Sequence, residues 1–148
     1  EAVRAIAKEH GWRYDIVDNP AGELTRFVEG EETTYRGRVR GLVIYPHAFC
    51  EPFSVLFGDD LVLQDFCKTQ FAGAEIHVAL IAVLRRISTE FEWFDVIDEG
   101  EYWESEDQSQ LKLLIEGCED AIREILVGDP NAKSRILLPD GRIVDVLR

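Results

Sequence analysis

A chain of 148 residues, 46% of them hydrophobic, suffices for one domain that buries roughly 70% of the surface its unfolded form exposes, which excludes an intrinsically disordered protein. The formal net charge of −13 repels phosphate backbones and so excludes general nucleic-acid binding. The longest apolar run, Val78–Leu84, is far short of the roughly 20 residues that cross a bilayer, so no membrane association is expected.

In chain order, Val3, Ile6, Ala7 and His10 share a helical stripe over residues 2–10, with Gly11 as its stop. Trp12, Tyr14 and Ile16 alternate with Arg13 and Asp15 as a strand does, and Asp18-Asn-Pro-Ala-Gly22 reads as a turn. Residues 23–29 and 34–45 predict a hairpin closed by the polar loop 30–33, in a register that sets Arg40 opposite Glu23 and Arg38 opposite Thr25. The alternating Arg36, Arg38 and Arg40 are then expected to pair with acids across the hairpin rather than to hold an anionic ligand. Gly37 and Gly41, inside that strand pattern, mark a bulge or a close approach.

A second hairpin is predicted over 53–66, turning at Gly58-Asp59-Asp60. Residues 72–90 follow as a helix apolar on most sides, then Phe91–Ile97 as a strand. The clearest period in the chain, Leu111, Leu114, Ile115, Cys118, Ile122 and Ile125, predicts a helix over 107–127 that ends at Gly128 and Pro130. Two short strands around Pro139-Asp140-Gly141 complete an α+β domain spanning 1–148, with three helices and a largely antiparallel sheet of about five to seven strands.

Charge is concentrated in one part of the chain. Residues 90–124 carry thirteen Asp and Glu against Lys112 and Arg123, a local balance of −11. Ser105-Glu-Asp-Gln108 fits a capping box for the helix that follows, which assigns Glu106 and Asp107 to the positive end of its dipole. Asp98, Glu99, Glu101, Tyr102, Trp103 and Glu104 remain as the candidate binding residues, a surface of carboxylates and rings suited to a basic protein partner. The alternative within the same stretch is a solvated connection with both rings folded onto the core edge. The spacing lacks the glycine and ligand positions of an EF-hand, so no specific cation site is specified.

The chain has no phosphate-binding loop, dinucleotide fingerprint or nucleophile elbow, and no cofactor is expected. His47, Cys50 and Glu51 lie within five residues, and Asp95 interrupts the apolar face of its predicted strand. A small enzyme using Asp95, Glu99 and Glu101, with or without a divalent metal, or a Cys50/His47 site is therefore the rival to a non-enzymatic, chaperone-like or neutralising binding module. Three cysteines without C-x-x-C spacing fit a reducing cytoplasm. A chain that starts at Glu1 and holds no Met is expected to have its natural start upstream.

Overall fold

In the computed structural model, which describes residues 1–148, Val3, Ile6 and Ala7 form the buried face of helix α1 (Ala2–Glu9), packed on the hairpin that follows. That hairpin pairs β1 (Arg13–Val28) with β2 (Glu31–Tyr45), and β3 (Phe53–Phe57) adds to the other edge of β2 as an antiparallel third strand. The remaining elements are α2 (Ala74–Ser88), a single turn α3 (Tyr102–Ser105), α4 (Gln108–Gly128) and the antiparallel pair β4 (Lys133–Leu137) and β5 (Ile143–Leu147). The class is α+β with antiparallel sheets, but the strands form one sheet of three and one of two, and there are four helices rather than three. Contacts gather the chain into two compact units, Glu1–Pro46 with Pro52–Cys67, and His47–Glu51 with Lys68–Arg148. No helix is long and apolar enough to cross a membrane.

The first unit corrects three sequence expectations. Asp18–Gly22 is not a turn, because β1 runs straight through it. The register shifts by one residue between Asn19 and Gly22, and the resulting bulge accommodates Pro20, which has no amide to donate to a ladder. The Asn19 side chain accepts from the Ala21 amide at 3.1 Å inside the bulge. The hairpin closes more tightly than expected, with Val28 opposite Glu31 and positive φ at both Glu29 (53°) and Gly30 (85°), as the twist of a two-residue connection demands. The register therefore pairs Glu23 with Arg36 and Asp18 with Arg40. Arg36 meets Glu23 at 2.7 Å, Arg38 meets Asp18 at 2.8 Å and Arg40 lies 3.8 Å from Asp59, so each member of the arginine comb has an acid partner, though not the one first expected.

The second hairpin is the third correction. Residues 61–66 form no strand, because side chains supply their anchoring instead of a ladder. Arg26 grips the Asp60 carboxylate with two nitrogens and donates to the Val62 carbonyl at 2.9 Å. The Gln64 amide accepts from Phe27 N and donates to Phe27 O, and Asp65 accepts from Ser54 N at 2.6 Å. Gly41 takes a positive φ of 152° that residues with a side chain rarely adopt, and it faces the β3 backbone so closely that a Cβ there would lie 1.9 Å from the Val55 carbonyl oxygen. The unit's core is Val3, Ile6, Ala7, Val39, Leu42, Ile44, Phe53 and Val55.

In the second unit α2 buries Leu80, Ile81, Val83 and Ile87, and α4 fully buries only Leu111. The cap of α4 is Asp107, whose carboxylate accepts from the Ser109 amide at 2.8 Å and the Gln110 amide at 3.1 Å. The expected capping box does not form. Glu106 takes a left-handed φ of 56° that breaks the chain between α3 and α4, and the Ser105 hydroxyl accepts from Asp107 N instead. Asp107→Ala is accordingly expected to lower the unfolding free energy by about 1 kcal/mol, and Ser105→Ala by less. Denaturant midpoints check this order, and an unchanged midpoint for Asp107→Ala would contradict it.

Candidate functional site

Asp98 organises the acidic stretch from beneath. Its side chain is only 3% exposed; one oxygen accepts from the Gly100 amide and the other from the Trp103 amide, each at 2.8 Å. The second of these bonds ties down the first turn of α3, whose entry residue Glu101 is left-handed at φ 57°. Nε2 of His77, in the first turns of α2, lies 3.1 Å from Asp98, and Nδ1 lies 2.8 Å from the Thr69 hydroxyl. In the neutral ring a carboxylate on Nε2 places the proton there and leaves Nδ1 to accept from Thr69, whereas the protonated ring donates from both nitrogens and carries a charge beside Asp98. Burial alone would push the Asp98 pKa up. The Trp103 amide, the bond and charge of His77 and the Gly100 amide outweigh it and hold the carboxyl below its usual range.

Hydroxyl, imidazole and carboxylate stand in line here, the order that activates nucleophiles in hydrolases. The groove beside them opens on Asp98, however, and is not lined by Thr69 or His77. Both Asp98 oxygens are committed to backbone amides and to the ring, so the chain Thr69–His77–Asp98 works as a brace that fixes loop 98–103 to α2.

On this brace the sequence candidates separate. Tyr102 is half-buried, edge-on to the His77 ring with centroids 6.4 Å apart. Trp103 is half-buried beside Phe94 (6.3 Å) and under the Arg85 guanidinium (5.0 Å), which also donates to the Trp103 carbonyl at 2.6 Å and pairs with Glu106 at 2.9 Å. Glu99, Glu101 and Glu104 are exposed. Glu101 accepts from the Gln110 amide at 2.5 Å, and neither Glu99 nor Glu104 has a hydrogen bond or ion pair. Glu101 and Glu104 join Val96, Ile97, Asp98, Ser105 and Gln110 around an open groove of about 550 Å³. The candidate residues thus divide into a buried support (Asp98), two packed rings and three carboxylates that face water.

Asp95 is exposed and has no hydrogen bond or ion pair, and Phe91–Ile97 forms no strand. His47 Nδ1 accepts from the Phe49 amide at 3.1 Å, and the Cys50 thiol donates to the Glu51 carbonyl at 3.2 Å. Glu51, 5% exposed, turns inward, where its carboxylate accepts from the amides of Lys68 (3.0 Å) and Ile143 (2.8 Å) and pairs with Arg142 at 3.0 Å. This is a structural clamp. No group of three His, Cys, Asp or Glu side chains is placed to hold a metal ion.

Trp93 (80% exposed) and Ile97 (91%), expected on the apolar face of a strand, are instead turned to solvent, and Ile97 lines the groove. The available signal was the segment's own alternation, read as a sheet strand when no sheet receives it. Comparison with protein-family models, characterised proteins and solved structures found nothing that matches this chain.

Proposed function

We propose that the chain is a non-enzymatic binding module that receives a basic segment of another protein at the groove formed by residues 96–110. The observation that carries this reading is the groove's wall. Glu101 and Glu104 stand there without a cationic partner beside the exposed Ile97, in a stretch that has no Lys or Arg between Arg86 and Lys112. A rigid carboxylate surface next to apolar area suits Lys or Arg side chains, whose stems pack while their heads pair. Electrostatic attraction speeds encounter, and the apolar floor lengthens residence. A reducing compartment such as the cytoplasm fits the exposed thiol of Cys118.

The test is a titration with a ten-residue peptide of alternating Lys and Val. Wild type is expected to bind it with an affinity that falls as salt rises. The triple variant Glu99→Gln, Glu101→Gln, Glu104→Gln is expected to bind roughly tenfold more weakly with a flatter salt dependence, while its folding stability holds or rises slightly as self-repulsion is relieved. Equal affinity in the two proteins would overturn the proposal.

A further inference from the structure

The three-stranded sheet ends at β1 on one side and β3 on the other, and side chains cover parts of both edges. On β3, Asp65 accepts from the outward Ser54 amide at 2.6 Å. On the later half of β1, the Gln64 side chain takes both main-chain groups of Phe27, at 2.6 and 3.1 Å. The bulge between Asn19 and Gly22, with Pro20 inside it, interrupts the edge ahead of that half. Residues 14–18 are left open.

Their direction follows from the ladder. Opposite residues of an antiparallel pair exchange both main-chain bonds or neither, and the two kinds alternate along the strand. Because the Ser54 amide turns away from β2, its partner Val43 bonds on the other side to Asp15. Tyr14, Ile16 and Asp18 therefore point their amides and carbonyls outward, where no hydrogen bond reaches them. Ile16 is the centre of this stretch. It stands opposite Leu42 and so shares its face of the sheet, yet Leu42 is buried and Ile16 is 67% exposed. The face that carries the core of the first unit thus runs out to an uncovered edge.

Unpaired charges ordinarily keep an edge strand from pairing with another chain. Here they are neutralised within the chain, Asp15 by Arg13 at 3.3 Å and Asp18 by Arg38 at 2.8 Å. Residues 1–50 carry eight acids and seven bases, so this part of the molecule opposes a copy of itself far less than the acidic stretch 90–124 would. The open stretch also fits itself. Antiparallel self-pairing centred on Ile16 sets Ile16 against Ile16 of the second copy, lets Tyr14 and Asp18 exchange main-chain bonds, and brings Trp12 beside the exposed Pro20, where pairing stops. We infer that two copies of the chain pair through residues 14–18 about a two-fold axis at Ile16, joining their three-stranded sheets edge to edge. The contact is short, so the dimer forms only at high protein concentration.

Sedimentation equilibrium over a wide concentration range tests this. The wild-type mass is expected to rise from 16.9 kDa toward twice that value. Ile16→Lys, at a position already exposed, is expected to keep its far-UV circular dichroism and to weaken the dimer at least tenfold. A second probe is Ile16→Cys in a Cys118→Ser background, which removes the exposed native thiol. Facing residues of a hydrogen-bonded pair have Cα atoms about 5.5 Å apart, within disulfide reach, so mild oxidation should link this variant to itself. Thr25→Cys in the same background, away from the axis, should stay unlinked. A wild type that remains monomeric at millimolar concentration would overturn the second copy as occupant and leave the edge to a strand of another protein. Equal dimerisation of wild type and Ile16→Lys, or equal linking of the two cysteine variants, would place the contact elsewhere and overturn the pairing. A mass that grows past two copies would contradict the closed two-fold arrangement.

Discussion

Glu51→Ala is expected to lower the unfolding free energy by about 3–4 kcal/mol. The substitution leaves the amides of Lys68 and Ile143 without this acceptor and removes a carboxylate partner of Arg142. A buried donor stranded in this way costs about 1–3 kcal/mol, and the ion pair adds modestly because Arg142 itself is 41% exposed. Glu51→Gln retains one acceptor oxygen and should lose about half as much. Denaturant unfolding followed by far-UV circular dichroism, to which α2 and α4 contribute most, measures the difference. A loss below about 1 kcal/mol for Glu51→Ala would contradict the clamp.

Asp98→Ala is expected to cost about 3 kcal/mol, because it strands two amides and the His77 ring at once. The pH dependence has a defined sign. The folded pKa of Asp98 lies below its unfolded value, so the carboxylate's contribution is fully present above the ordinary range near about 4 and disappears as pH falls through the folded pKa. Asp18 and Asp60, held low by their bonds to Arg38 and Arg26, titrate in the same sense. The diagnostic is therefore a difference. Asp98→Asn should narrow its stability gap to wild type as pH falls below about 4, where wild type loses the ionised group that the variant never had. A gap that stays constant across this window would show that the brace does not depend on the charge of Asp98.

The three longer helices were legible from their apolar periods, although on α4 only Leu111 of the predicted face is buried, while Leu114 and Cys118 are exposed. Val3, Ile6 and Ala7, Leu80 and Ile87, and Leu111 all sit where the 3.6-residue repeat places them. The sheet was less legible. Pro20 and Gly22 carry the composition of a turn, and only the pairing of the neighbouring strand reveals that the same residues make a bulge. Residues 61–66 have strand composition, yet Arg26, Gln64 and Asp65 satisfy the local backbone groups with side chains, a choice that long-range packing makes. Within the acidic stretch the sequence shows six carboxylates of one kind, and burial separates them. Asp98 goes inside because the loop returns its amides to it, Asp107 caps α4, and Glu99, Glu101 and Glu104 stay in water. The Asp98-x-Gly100 spacing is a turn signal that could have marked the difference. Glu51 gave no such sign, since a clamp made with Lys68, Arg142 and Ile143 depends on residues far along the chain.

The central claim is that position, and not total charge, makes the groove of residues 96–110 a receptor for basic segments. Two variants with equal loss of charge test it. One is Glu99→Gln, Glu101→Gln, Glu104→Gln; the other is Glu116→Gln, Asp120→Asn, Glu124→Gln on the exposed side of α4. Affinity for the Lys-Val peptide, measured at one fixed salt concentration, should fall roughly tenfold in the first and less than about twofold in the second, because charges beyond a Debye length of about 8–10 Å are largely screened. Equal losses in the two variants would contradict the claim and leave only a diffuse attraction between an acidic protein and a cation.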